Sequence, residues 1–361
     1  MKACVFVACV VLVAATAAAQ QPGSAGERRP KLEVLKALPE GQLYPLMNVV
    51  AESLGVRCDY CHVQATPDLT KTPANVGGWV WDSDDKPQKK IARDMMKMVV
   101  DLNAKNFGGR SRVTCYTCHQ GHLDPARTTA MPPAAYGGGR TPPPAALPTV
   151  DRVWAAYVNA VGPIGVAPPD TGIVISGWDE RSEGRYGKFE IVMGGPARYR
   201  ATVINGDTTT RQGLDGDAAW VATSDRVTRL SSPVDIARMR SIATRHQLVK
   251  ERPANLQVVR IDRVGDRDAF VARGRIDATT VRTLFFDVVT GLLRREMTTT
   301  DTLLVPLQEQ VDYDDYRDVD GVKVPFRIVS SSAAPYDTVT RTVVQIRRNV
   351  PIDDALFRPP Q

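Results

Sequence analysis

The sequence has little histidine and no block of basic residues. Only four histidines occur in 361 residues, and only His246 lies in the C-terminal half. That half also lacks a recognisable Ser/His/Asp set, a paired-carboxylate frame or a phosphate loop, so histidine-based catalysis there has no support. The 46 basic and 40 acidic residues are spread evenly, which gives a net charge of +6. This distribution predicts no nucleic-acid binding.

Long apolar runs are absent beyond the N-terminus. Lys2 is followed by the apolar stretch 3–15 and by the small residues 17–19. This order is typical of a secretory signal peptide that is cleaved after Ala19. An uncleaved anchor is the alternative, although the run is at the short limit for a span of about 20 residues. The sequence therefore predicts an exported, periplasmic protein.

The cysteines occur almost entirely in one motif. Cleavage of the signal peptide removes Cys4 and Cys9. The others form two Cys-x-x-Cys-His frames, here called the first frame (Cys58, Cys61 and His62) and the second frame (Cys115, Cys118 and His119). This spacing is typical of haem c attachment, because two thiols add to the haem vinyl groups and the histidine reaches the iron. A Cys4 zinc site or a thioredoxin-like pair would not explain both histidines. The sequence predicts two covalently attached haem c groups with histidine as proximal ligand.

A methionine before the first frame is the candidate distal ligand of the first iron. Residues 42–54 carry apolar side chains at helical spacing, and Gly55 is a typical helix stop. Met47 lies on this predicted helix, and a short reversal of the chain could bring its sulfur over the haem. Methionine is a common axial ligand in cytochromes c. The alternative is that Met47 only fills a hydrophobic core.

The second frame follows the same plan. Residues 86–107 form a longer predicted helix that stops at glycine, with Met95 and Met98 on one face. Met96 points about 100° away from Met95. We expect Met95 or Met98 to ligate the second iron, and the pattern does not decide between them. Core packing is again the alternative.

Residues 63–85, between the frames, have the pattern of an inserted loop. The loop contains Trp79 and Trp81. Aromatic rings there could cover a haem edge or guide a partner, whereas packing on the core is the alternative.

The N-terminal region resembles the photosynthetic reaction centre cytochrome c subunit family. The likeness lies in Leu46-Met47 followed by residues 53–62, and in residues 97–103 followed by residues 113–121. It covers residues 31–123, about one of the two helix–haem pairs of that four-haem family. The resemblance implies Met47 as distal ligand of the first haem and supports Met95 or Met98 for the second. It is not extended to a reaction-centre partner, because half of the haems are missing and another domain is attached.

The C-terminal half has a different pattern. Proline and glycine dominate residues 124–149, which predicts a linker. Alternation with period two and closely spaced turn pairs then predict an antiparallel β meander, with a covering helix over residues 233–249. Residues 285–293 and 311–326 resemble hairpins of periplasmic lipoprotein-carrier half-barrels. This resemblance implies a cupped sheet that holds an apolar ligand, and a docking or scaffolding module is the alternative.

These patterns together predict an α+β protein in four parts. They are a signal peptide (1–19), a mainly helical dihaem cytochrome c domain (20–123), a linker (124–149) and an antiparallel β half-barrel-like domain (150–361). The predicted function is electron relay between periplasmic or membrane-bound redox partner proteins rather than enzymatic catalysis, because histidine and methionine would saturate both irons. The alternatives are a peroxidase- or reductase-like dihaem enzyme with an open iron, and a carrier or sensor of an apolar ligand.

Overall fold

The computed structural model of the protein describes most of the chain from residue 32 onward. The described residues are 32–38, 40–65, 78–125, 147–163, 171–182, 184–195, 197–223, 226–231, 236, 239–240, 242–243, 252, 255–333 and 338–360. The predicted signal peptide and most of the predicted linker lie outside them. In the described residues, no helix has the length and apolar character needed to cross a membrane.

The structure is predominantly β, and the predicted α+β class with a mainly helical N-terminal domain is wrong. A single antiparallel sheet of thirteen strands dominates the chain. In the N-terminal region, two of the four helices are single turns of four and five residues. The predicted loop there contains a short strand pair, β1 (Val63–Gln64) and β2 (Trp79–Val80). The prediction gave too much weight to a few helices with strong periodicity and treated their whole region as helical. Most of the chain instead forms consecutive hairpins that join one sheet.

Among the described residues, the helices with defined bounds are α1 (Glu40–Leu54), α2 (Cys58–Cys61), α3 (Pro87–Phe107), α4 (Cys115–His119) and α5 (Val150–Val161), and Asp354–Phe357 form a 3₁₀ turn. The strands of the large sheet are β3 (Thr171–Arg181), β4 (Tyr186–Met193), β5 (Arg198–Asn205), β6 (Thr208–Asp215), β7 (Ala218–Ala222), β8 (Val227–Leu230), β9 (Gln257–Val264), β10 (Arg267–Arg275), β11 (Thr280–Asp287), β12 (Leu293–Thr300), β13 (Leu307–Val319), β14 (Val322–Ser331) and β15 (Val339–Pro351).

The sheet consists of two meanders that meet in its middle, where the first and last strands in chain order, β3 and β15, pair with each other. Its order is β8-β7-β6-β5-β4-β3-β15-β14-β13-β12-β11-β10-β9, so β15 pairs with β3 and every other neighbour is adjacent in sequence. Tight turns connect the hairpins, and Gly206 between β5 and β6 has a φ of +55°. A non-glycine residue is disfavoured in that left-handed region, which explains the Asn205-Gly206 turn signal.

Two helical segments cover two hydrophobic cores of this sheet. Val153, Tyr157 and Val161, which share one face of α5, are buried in a core with residues of β10–β14. Met239, Ile242 and Ala243 are helical and pack with residues of β3–β7. The second segment falls within the predicted covering helix, whereas α5 is a further cover on the other half of the sheet.

The chain divides into two compact units. One consists of the described residues within Thr141–Thr300 and Gln308–Gln361. The other consists of the described residues within Ala17–Arg140, together with the segment Asp301–Leu307. The second unit contains both cysteine frames and is called the cytochrome unit below.

Candidate haem-binding frames

The two frames approach each other through glycine backbones. Gly55 ends α1 in the left-handed region, at a φ of +67°, and a Cβ there would lie 2.1 Å from the carbonyl oxygen of Gly121. The Gly121 N–H donates to the carbonyl oxygen of Ser53 at 2.9 Å. Only glycine permits this approach, because a side chain at residue 55 would meet fixed backbone rather than a flexible neighbour.

Each of the two long helices contacts one of the two short helices that contain the frame cysteines. Helix α1 contacts α4, and α3 contacts α2. Each long helix that carries candidate methionines therefore touches the frame that does not directly follow it in the chain. The sequence predicted only that each helix precedes its own frame.

The second frame is held by local hydrogen bonds. Thr114 and Thr117 form a capping box at the start of α4, where the Thr117 N–H donates to Thr114 Oγ1 at 3.3 Å and the Thr114 N–H donates to Thr117 Oγ1 at 3.0 Å. This reciprocal pair satisfies two backbone donors that the helix start leaves free. It therefore stabilises the turn that contains Cys115 and Cys118.

Asn103 joins α3 to the connection before the second frame. Its side chain is 1% exposed. Its Oδ1 accepts from the N–H groups of Arg112 at 3.1 Å and Val113 at 3.0 Å, and its Nδ2 donates to the carbonyl oxygen of Val113 at 2.7 Å. One buried amide thus satisfies three backbone groups and fixes the distance between α3 and Cys115.

The imidazole of His119 is oriented by a backbone carbonyl. His119 Nδ1 lies 3.0 Å from the carbonyl oxygen of His122, which can only accept. The contact is therefore a hydrogen bond in which Nδ1–H donates, and this tautomer leaves Nε2 as a lone-pair donor. A carbonyl partner of this kind fixes the ring and increases the basicity of a metal-ligating histidine.

The first frame is surrounded differently. The His62 ring packs edge-on against the Trp81 ring, with centroids 4.9 Å apart at 73°. His62 Nδ1 is buried, and none of the described residues offers it a hydrogen bond. Burial, followed by the positive charges of Lys89, Arg93 and Lys86, lowers the pKa of His62 to about 4. The imidazole is therefore neutral at physiological pH, which is the form that binds a metal.

Cationic side chains of α3 anchor the loop that presents Trp81. Lys89 Nζ donates to the carbonyl oxygens of Trp81 at 2.5 Å and Ser83 at 2.7 Å. Arg93 donates to Asp84 Oδ1 at 2.6 Å, and this hydrogen bond lowers the pKa of Asp84 to about 2. The ion pair therefore persists at neutral pH, and the loop is held against α3 by charge-assisted bonds.

The thiols and the methionine helix fit a haem. Among the described residues, the four cysteines of the two frames are free thiols. Burial raises the pKa of Cys61 and Cys115, so these two side chains are neutral thiols. One stripe of α3 leaves large apolar side chains exposed, namely Ile91, Met95, Met98 and Leu102. An exposed apolar stripe on a helix that contacts α2 is suited to a flat, mostly apolar macrocycle.

The candidate methionines occupy different environments. Met95 and Met98 are 45% and 52% exposed on the same stripe of α3, whereas Met96 is 8% exposed in the core. Met47 on α1 is half-buried against that core. The opposite placement of Met96 agrees with the helical spacing. Met47, Met95 and Met98 remain predictions as iron ligands.

Residues 77–135 match the family model of the photosynthetic reaction centre cytochrome C subunit. This range contains α3 and the second frame but not the first frame. The predicted resemblance of the N-terminal region is therefore confirmed on sequence.

Curated relatives agree with this match. A cytochrome c-554 of Chloroflexus aurantiacus is 34% identical over 95 residues, which are 24% of this chain and 19% of the relative. A photosynthetic reaction center cytochrome c subunit of Thermochromatium tepidum is 33% identical over 105 residues, which are 28% of this chain and 22% of the relative. The chain thus spans about a fifth of the length of these relatives, and its N-terminal region resembles c-type cytochromes.

Solved structures overlap with more than half of the chain. A LolA superfamily protein of Nitrosomonas europaea covers 58% of this chain and 98% of its own, at 13% identity and a TM-score of 0.38. A putative outer membrane lipoprotein-sorting protein domain of Vibrio parahaemolyticus covers 57% of this chain and 93% of its own, at 11% identity and a TM-score of 0.35.

Three features of the site were not foreseen from the sequence. They are the ring contact between Trp81 and His62, the carbonyl of His122 behind His119, and the buried amide of Asn103. The position of His122 three residues after His119 was a usable signal, because a turn of that length brings a carbonyl back to the imidazole. Asn103 gave a weaker signal, as a polar residue at helical spacing from Met96 and Val99 on the buried face of α3.

Proposed function

We propose that this protein is an exported c-type cytochrome with two covalently attached haem c groups, which relays electrons between redox partner proteins. The observation that carries the proposal is the pair of frames, each with two free thiols next to a histidine. The imidazole of His62 is neutral, and the imidazole of His119 is oriented by a backbone carbonyl. The likeness of the N-terminal region to c-type cytochromes supports the same chemistry.

In this proposal, each residue of the frames has one role. The thiols of the four frame cysteines would form thioether bonds to the haem vinyl groups, and the Nε2 atoms of His62 and His119 would each bind an iron. Met47 and one of Met95 and Met98 would supply the second ligands of the irons. When bound, haem c supplies a one-electron couple whose potential depends on axial ligands, hydrogen bonds and burial.

The chain's other residues orient these ligands and exclude water. The carbonyl of His122 holds the ring of His119, and the indole of Trp81 covers one edge of His62. The apolar stripe of α3 would be shielded from water by a bound macrocycle. Saturated irons in such surroundings favour electron transfer over substrate chemistry.

We place the protein in the periplasm, because residues 2–19 have the pattern of a secretory signal peptide. Its partners are redox proteins in the periplasm or in a membrane. We do not propose a photosynthetic reaction centre as a partner of this chain, although the name of the Thermochromatium relative contains one. An apolar ligand of the C-terminal sheet stays a prediction.

The test is the absorption spectrum of the full-length matured protein in both oxidation states, with haem quantified per chain. We expect two low-spin haems per chain and a methionine–iron charge-transfer band in the oxidised form. A high-spin haem would instead favour the dihaem enzyme and lead to assays for peroxidase and reductase activity. A chain without covalent haem would overturn the proposal.

A further inference from the structure

Two residues from a distant part of the chain complete the core of the cytochrome unit. Leu304 and Val305, which lie between β12 and β13, are 0% and 1% exposed. They form one buried cluster with Leu46 of α1 and with Met96 and Val99 of α3. The segment Asp301–Leu307, here called the clip, thus belongs to the cytochrome unit by its contacts.

The clip has a defined local structure. Thr302 Oγ1 donates to the carbonyl oxygen of Val305 at 2.5 Å and accepts from the N–H groups of Leu304 at 3.3 Å and Val305 at 3.2 Å. This hydroxyl-centred turn directs the two aliphatic side chains into the core. The adjacent Leu303 is 39% exposed, so the turn separates two leucines that are neighbours in sequence.

The helix residues that the clip contacts are neighbours of the candidate ligands. Leu46 directly precedes Met47, and Met96 and Val99 lie beside Met95 and Met98. Consecutive residues of an α-helix point about 100° apart. Burial of one residue therefore sets the rotation of the helix about its axis and the direction in which the next residue points.

Resting on the proposed function, we propose that Leu304 and Val305 are positioning residues for the axial methionines. They fill the core between α1 and α3 and so hold both helices in the rotation at which the methionine sulfurs would bind the irons. Without them, the core could close only by moving these helices, since protein interiors tolerate little empty space.

The experiment compares full-length matured variants with a matched control one residue away. Leu304→Ala removes the buried side chain, Leu303→Ala removes the exposed one, and Leu304→Met keeps the volume with a different shape. Haem per chain, the methionine–iron charge-transfer band and the two reduction potentials are measured for each. The band and the potentials report ligation, which a purely structural loss of stability would leave unchanged in the folded protein.

We expect Leu304→Ala to keep two covalent haems per chain but to lose at least half of the methionine–iron band, with a lower potential of at least one haem. Leu303→Ala and Leu304→Met should retain the wild-type band and potentials. If Leu304→Ala does not accumulate as folded protein, the milder Val305→Ala decides the question by the same measurements.

Wild-type band and potentials in the Leu304→Ala chain would overturn the inference, as would equal losses in the Leu303→Ala chain. Failure of the proposed function has a different signature, because the wild-type chain itself would then lack covalent haem or the methionine–iron band. In that case the positioning role falls together with the ligation on which it rests.

Discussion

The first and second frames share one motif but are held by different kinds of interaction. The second frame is fixed by neutral hydrogen bonds to nearby residues, through the Thr114–Thr117 capping box and the His119–His122 contact. The first frame has no side-chain cap at Arg57, the residue before Cys58. Its surroundings come from the loop and the helix that follow it in the chain.

In the proposed dihaem protein, this difference would give the two irons different electrostatic surroundings. The positive charges of Lys86, Lys89 and Arg93 lie near His62. His119 instead donates a hydrogen bond from Nδ1 to a backbone carbonyl oxygen. Positive charge favours the reduced iron and raises a reduction potential, whereas a carbonyl acceptor makes the imidazole a stronger donor and lowers it. We therefore expect the first frame to hold the haem of higher potential.

The largest expected effect is the loss of one haem at a time. Cys58→Ala with Cys61→Ala should remove the first haem, and Cys115→Ala with Cys118→Ala the second, because no thioether can form. Haem per chain, measured by absorption of the denatured protein, should halve in each variant. The remaining haem should have the higher potential when the first frame is kept. The opposite order of potentials would contradict the electrostatic comparison.

Met47→Ala is expected to remove one methionine–iron bond and to lower one potential substantially. The helix order and the family resemblance assign Met47 to the first iron, whereas the contact of α1 with α4 makes the second iron the competing assignment. Met47→Ala is therefore combined with each of the two frame deletions. Loss of the charge-transfer band only in the chain that keeps the first frame supports the first assignment, and loss only in the other chain reverses it.

Asn103→Ala should weaken the second frame more than the first. The change leaves three backbone groups of Arg112 and Val113 without their buried partner, at a cost of about 1–3 kcal/mol for each unsatisfied group. We expect a lower unfolding midpoint in chemical denaturation and a change in the second haem's potential. Asn106→Ala is the matched control, because the exposed Asn106 donates only to the carbonyl oxygen of Leu102 at 3.0 Å. Equal effects of both variants would argue against the role of Asn103.

The smallest expected effect comes from a single charge beside the first frame. Lys89→Gln removes a positive charge near His62 and should lower the potential of the first haem while the second stays unchanged. Lys90→Gln is the control, because Lys90 is an exposed neighbour on the same helix. High salt should reduce the difference in first-haem potential between the two variants only slightly. Salt screens a partly buried charge weakly, and Lys89 Nζ is partly buried between two carbonyl oxygens. Equal shifts of the first haem's potential in both variants would contradict a specific role for the charge of Lys89.

The sequence predicted features that depend on neighbouring residues better than features that depend on residues far apart in the chain. Helices α1 and α3 follow the predicted apolar spacing and stop at Gly55 and Gly108, whose left-handed conformations are a local property. The strands and hairpin turns of the sheet follow from alternation and from pairs such as Asn205-Gly206. The fold class was nevertheless wrong, because periodicity predicts individual elements and does not state how much of the chain joins one sheet.

By itself, the amino-acid sequence determined the two cysteine frames, the methionines on helices before them and the meander of hairpins. Each of these depends on residues a few positions apart, where covalent geometry and helix or strand period decide the outcome. Only the tertiary structure placed Trp81 against His62, brought α1 into contact with α4, and brought Leu304 and Val305 into the core of the cytochrome unit. Those contacts join residues far apart in the chain, and they form because buried apolar surface is stabilised wherever it meets a complementary surface, which no local pattern records.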